Sequence, residues 1–120
     1  MKTTLIALAA AALAVAAPSF ASAKTAQCAV YKGGNYLVKQ ECNFHHNGPG
    51  GSFQLSGDYK DNLTRGIAYI DVKITRPGFG VVFARLASGR YVRWGTVRKS
   101  TDPRGCWRGR AGGELVVCAI

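Results

Sequence analysis

Acidic side chains are scarce in this chain: 6 Asp and Glu stand against 16 Lys and Arg. The acids are Glu41, Asp58, Asp61, Asp71, Asp102 and Glu114, too scattered to nominate a carboxylate pair of the glycosidase kind. Asp58 and Asp61, in DYKDN, have the wrong spacing for a calcium loop. Cys-x-x-Cys is absent, which excludes a thioredoxin-like redox pair and haem attachment. Ser52 lies in GPGGSFQ, without the G-x-S-x-G turn that exposes a hydrolase nucleophile, and no acid–base partner is marked beside it. Beyond residue 24 no apolar run approaches the ~20 residues of a transmembrane helix, and no segment keeps apolar residues at helical spacing for about three turns. These absences leave a non-enzymatic domain without a cofactor as the expectation.

One stretch invites metal chemistry. In CNFHHNGPGG, His45, His46 and Cys42 offer zinc or copper ligand types. Adjacent histidines rarely reach one ion together, and Cys42 has a competing use in a disulfide. No metal site is expected, and the two histidines are read as residues of a hairpin connection.

The chain opens with Lys2, an unbroken apolar run from Leu5 to Ala17, then Pro18 and Ala21-Ser22-Ala23. This is the pattern of a secretory signal peptide, residues 1–23, cut before Lys24. Its Ala-dominated core is of bacterial type and points to the periplasm first and to secretion second. Gln27 is too bulky to precede a lipidated cysteine, so Cys28 is not expected to carry a lipid anchor. Cleavage leaves 97 residues, 24–120, which suits one small β domain. A core of that size is marginal, so covalent staples are useful.

Four cysteines in an exported chain fit that need. Cys28 and Cys42 are centred on Asn35, close to Gly33-Gly34, and Cys106 and Cys118 are centred on Gly112-Gly113. Residues equidistant from a hairpin turn lie within disulfide range. The expected staples are therefore Cys28–Cys42 and Cys106–Cys118, each contributing roughly 3 kcal/mol in the chain-entropy model. A connection of Cys28 to Cys118 and Cys42 to Cys106 is the alternative.

Segments rich in Ile, Val, Tyr, Phe and Trp between Gly66 and Arg98 are broken by Arg76-Pro77-Gly78 and Ser88-Gly89, which are turn chemistry. With strands at 27–32, 35–43 and 51–56 and a C-terminal hairpin, the fold is expected to be all-β: a small antiparallel, disulfide-stapled barrel or sandwich of about seven to eight strands. A three-residue turn at Pro77–Phe79 would set Ile74 against Val82, Val72 against Ala84 and Ile70 against Leu86. A second at Ser88–Arg90 would set Leu86 against Val92 and Ala84 against Trp94. That face is expected to be the core. The opposite face carries Asp71, Lys73, Thr75, Phe83, Arg85, Tyr91 and Arg93.

After cleavage 15 Lys and Arg remain against 6 acids, a formal charge of +9, and eight arginines fall between Arg76 and Arg110. Charge of this size attracts anions whatever the fold, and it also keeps a protein dispersed. The binding residues read from the sequence are Lys73, Phe83, Arg85, Tyr91 and Arg93, extended by Arg104, Arg108 and Arg110 around a C-terminal bend, where Trp107 is expected to close the core. The expected partner is an anionic glycan, lipopolysaccharide, a lipid headgroup or an acidic protein, with nucleic acid less favoured. The segment LASGRYVRWG resembles the Ser-Gly and Tyr segment of bacterial periplasmic inhibitors of c-type lysozyme, over about a tenth of the chain. That resemblance implies inhibition of an envelope-directed enzyme as the alternative function, although a +9 chain lacks charge complementarity to a basic lysozyme. A purely structural envelope role is the remaining possibility.

Overall fold

Period-2 alternation with glycine at the turns organises the chain into eight antiparallel strands. A computed structural model describes residues 24–58, 61–101, 104–109 and 114–120. The signal-peptide reading of residues 1–23, the turn at Gly112-Gly113 and Arg110 lie outside the described residues. The strands are β1 Lys24–Lys32, β2 Asn35–His46, β3 Phe53–Ser56, β4 Ile67–Arg76, β5 Phe79–Leu86, β6 Tyr91–Lys99, β7 Cys106–Gly109 and β8 Leu115–Ala119, with a short 3-10 turn at Pro49–Gly51 between β2 and β3. Each strand pairs with its neighbour in sequence, and β8 returns to β1, closing a barrel. Closure pairs Cys28 with Ala119 through Lys32 with Leu115 and removes the open edges that would template aggregation.

Side chains that point inward fill the barrel. Val30, Val38, Leu55, Ile70, Val72, Val82, Ala84, Val97 and Val117 are buried in a single cluster. At one end the β3–β4 connection folds under the barrel. Leu63 there is 0% exposed, its N–H donates to Ala68 O at 2.9 Å, and its carbonyl accepts from Gln40 Nε2 at 2.8 Å. The opposite end is ringed by the β2–β3, β4–β5 and β6–β7 connections and the C-terminus.

Both expected disulfides are present, Cys28–Cys42 and Cys106–Cys118. Cys106 faces Cys118 directly, with Cα atoms 4.0 Å apart. The first staple is diagonal. A two-residue turn at Gly33-Gly34, both with positive φ, followed by an irregularity between Val30 and Tyr31, pairs Cys28 with Gln40 and Ala26 with Cys42, and the disulfide spans 5.8 Å between Cα atoms. Cys28 and Cys42 belong to the inner cluster, whereas Cys106 shares the outer side of β7 with exposed Arg108.

The expected core face of β4–β6 is correct, and its register is not. Val72 pairs with Val82 and Ile70 with Ala84, because the turn contains only Pro77-Gly78 and the ladder is irregular between Ile74 and Arg76. On the next hairpin Ala84 pairs with Val92 and Arg85 with Tyr91, and a second irregularity follows between Val82 and Phe83. For these pairs the slip is two residues and leaves the faces unchanged, while beyond the second irregularity Val82 pairs with Gly95 and the bulge at Trp94 brings Val97 inward. His45 and His46 do not lie on a connection but end β2, and β3 begins at Phe53 rather than residue 51.

Candidate functional site

The outer wall of β3–β6 gathers the polar and aromatic residues that alternation turns away from the core. Register places Gln54, Asp71, Phe83 and Arg93 in one row and Tyr69, Arg85 and Tyr91 in the next. Lys73 lies two residues from Asp71 on the same face. The residues expected from the sequence on β4–β6 thus share one surface.

Asp71 is its centre. Although it points outward, it is only 6% exposed. Its Oδ2 accepts from the Tyr91 hydroxyl at 2.6 Å. Its Oδ1 accepts from Gln54 Nε2 and from Asn47 Nδ2, each at 2.9 Å. A carboxylate stripped of water requires such donors. Partial burial, and then the carboxylate it donates to, push the Tyr91 phenol well above its usual range.

The cations of the wall rest on rings. Phe83 and Tyr91 stack with centroids 5.2 Å apart and planes 4° from parallel. Lys73 Nζ lies 5.5 Å from the Phe83 centroid and 5.8 Å from that of Tyr91. The Arg85 guanidinium lies 5.1 Å from the Tyr91 ring, held there because Nε donates to Tyr69 OH at 3.2 Å and Nη1 to Gly89 O at 2.7 Å. Such contacts orient a cation while leaving its charge unneutralised. Asp71 is spent on neutral donors, so it does not discharge them by direct pairing. Toward the end of the same wall, Arg76 and Arg98 flank Phe79 at 4.0 and 5.4 Å, and Arg108 pairs with Arg98 across β6–β7.

Arg104 separates from this wall. It lines the open end of the barrel, a cavity of about 890 Å³ bounded also by Phe44, Phe53, Ile74, Lys99 and Trp107. Trp107, 9% exposed, takes the core position expected of it, and Arg108 points the opposite way into water. Of the expected cluster, Arg104 and Arg108 therefore lie on two different surfaces. His46 lines the mouth and pairs with Phe53, while its neighbour His45 falls on the other side of β2, opposite Gln54.

Asn47, Gln54, Phe44 and Phe53 were not nominated from the sequence. For Phe53 a signal existed: it and His46 sit three residues either side of Pro49-Gly50, where a hairpin sets them opposite each other, and Phe44 follows two residues along on the same face. Asn47 carries no such signal, because its contact with Asp71 is made across the barrel wall. Ser52, dismissed as a nucleophile, is a structural residue. Its Oγ donates to Pro49 O at 2.9 Å and accepts from Ile74 N–H at 2.8 Å. Among the described residues, no group of three His, Cys, Asp or Glu side chains is placed to hold a metal, and no helix is long and apolar enough to cross a membrane. Comparison with protein-family models, curated proteins and solved structures finds no match to the chain.

Proposed function

We propose that the protein is a non-enzymatic, exported binding protein of the bacterial periplasm or exterior, whose outer wall on β4–β6 holds an anionic envelope component, an acidic glycan or the phosphorylated headgroup of lipopolysaccharide. The observation that carries this reading is the placement of Lys73 and Arg85 over the stacked Phe83–Tyr91 pair. Cations resting on rings within one wall suit a ligand that presents several anionic groups beside weakly polar surface. The two disulfides fit an oxidising compartment.

Position and total charge are separable by experiment. Replacing Lys73 and Arg93 by Gln should lower retention on a heparin column. Replacing Lys24 and Lys39 by Gln, exposed on β1 and β2, removes equal charge from elsewhere and should lower it much less. Equal loss from both double variants would reduce the wall to its contribution to net charge.

A further inference from the structure

The open end of the barrel has a chemistry distinct from the outer wall. Its inner lining is apolar and largely aromatic: Phe44 and Phe53 rings lie 4.9 Å apart, and Trp107 continues the series 6.2 Å from Phe53. Below them the barrel is filled by fully buried Val, Leu and Ile side chains, so the cavity is a cup and not a channel. Its volume of about 890 Å³ lies in the range of small-molecule sites. Two exposed cations stand at the rim. Lys99 pairs across the ladder with Trp107, and Arg104 begins the last turn before β7.

The rim is held in place from outside the cup. Ser52 ties the Pro49–Gly51 turn to Ile74 through its hydroxyl, Asn47 N–H donates to Ser52 O at 3.1 Å, and the Asn47 amide is fixed by Asp71. On the facing side Ala119 N–H donates to Gly105 O at 2.9 Å. A preformed opening spares a ligand the cost of ordering loops.

We infer that the barrel mouth is a small-molecule site for a flat, apolar ring compound bearing one anionic group, with the ring against Phe44, Phe53 and Trp107 and the anion between Lys99 and Arg104. The shallow depth favours a ring over an extended acyl chain, and stacked or edge-on packing against three aromatic side chains rewards a flat partner. The anion is matched by charge-assisted contacts at a rim where both cations keep access to water.

Naphthalene-2-carboxylate, its neutral counterpart naphthalene-2-methanol and acetate are the probes, read by the indole N–H resonances of Trp107 and Trp94. Trp94 is the internal control, since it lies apart from the mouth beneath Lys32 Nζ, 5.4 Å from its ring. The carboxylate should shift Trp107 saturably and leave Trp94 unmoved. The alcohol should bind about tenfold more weakly, the value of one good charge-assisted contact, and acetate should give no saturable shift. Lys99→Gln with Arg104→Gln, both exposed and tolerable to the fold, should abolish the preference for the carboxylate over the alcohol. The inference fails if Trp107 does not respond saturably, if the two naphthalenes bind alike, or if the double variant keeps the preference. Lys73→Gln with Arg93→Gln should leave naphthalene-2-carboxylate binding unchanged, so failure of the outer-wall reading does not pass to the mouth.

Discussion

Asp71 shows how one side chain joins two surfaces. The same carboxylate accepts from Tyr91 on the outer wall and from Asn47 at the mouth rim. Asp71→Ala would remove three hydrogen bonds to a buried carboxylate, from exposed Asn47, half-buried Gln54 and the Tyr91 hydroxyl, at a cost of about 1–3 kcal/mol. In a domain of this size each kcal/mol corresponds to about 4–8 °C in melting temperature, which calorimetry would register. An unchanged melting temperature would mean that water replaces the carboxylate and that Asp71 does not organise the wall. The Tyr91 bond also carries a signed pH dependence. A phenol whose folded pKa is raised contributes its full stability below the unfolded value of about 10, and loses it as pH climbs through the folded value, because there the unfolded state has released a proton that the native state keeps. Denaturant melts at about pH 9 and about pH 11 should therefore show Tyr91→Phe losing less stability than the parent over that interval. Parallel losses would remove the Asp71–Tyr91 bond as the cause. The charge of Asp71 and its outward face were legible in alternation. Its burial was not, because that depends on Asn47 and Gln54 arriving from another strand and a loop.

Among the elements, β7 is short and lies one strand from the β1–β8 seam. It has four residues, Cys106–Gly109, pairs through three positions with each neighbour, and is held to β8 by the outer staple. By contrast β1 and β2 run for 9 and 12 residues. Replacing Cys106 and Cys118 together by Ala should cost about 2–5 kcal/mol, and hydrogen exchange should accelerate first in the amides of β7 and β8, as local opening follows the least supported segment. If Cys28 and Cys42 are replaced instead, exchange in β7 and β8 should stay slow. Acceleration of those amides to the same degree in both variants would show the barrel opening only as a whole. The hairpins and their faces could be read from turn residues and alternation, whereas the register could not. A two-residue slip returns every apolar side chain to the same face, so the pattern that identifies the core is blind to it, and the irregularities beside Thr75 and Phe83 have no compositional mark. Nor could the choice of barrel over sandwich be read, since it rests on β1 meeting β8 across nearly the whole domain.

At the scale of the molecule, the two cationic surfaces proposed to take anions should answer differently to salt. The outer wall offers Lys73, Arg85 and Arg93 in one patch, and the row of Arg76, Arg98 and Arg108 continues it around Phe79. A polyanion that binds there releases condensed counterions in proportion to the cations it covers. By the scaling known for nucleic acids, three contacts give a slope of log affinity against log salt of about −2 to −3, and six give about −4 to −5. The mouth, with two exposed cations and a monovalent ligand whose ring supplies most of the contact, should show a slope shallower than about −1. Titrating a short heparin fragment and naphthalene-2-carboxylate between about 0.1 and 0.3 M salt measures both. The steep slope should flatten when Lys73 and Arg93 become Gln, and the shallow one should not change. If binding of the heparin fragment proves nearly independent of salt, the wall is held by apolar contacts through Phe83 and Tyr91. A protein partner, such as the enzyme implied by the LASGRYVRWG resemblance, then becomes the better occupant of β4–β6 than any polyanion.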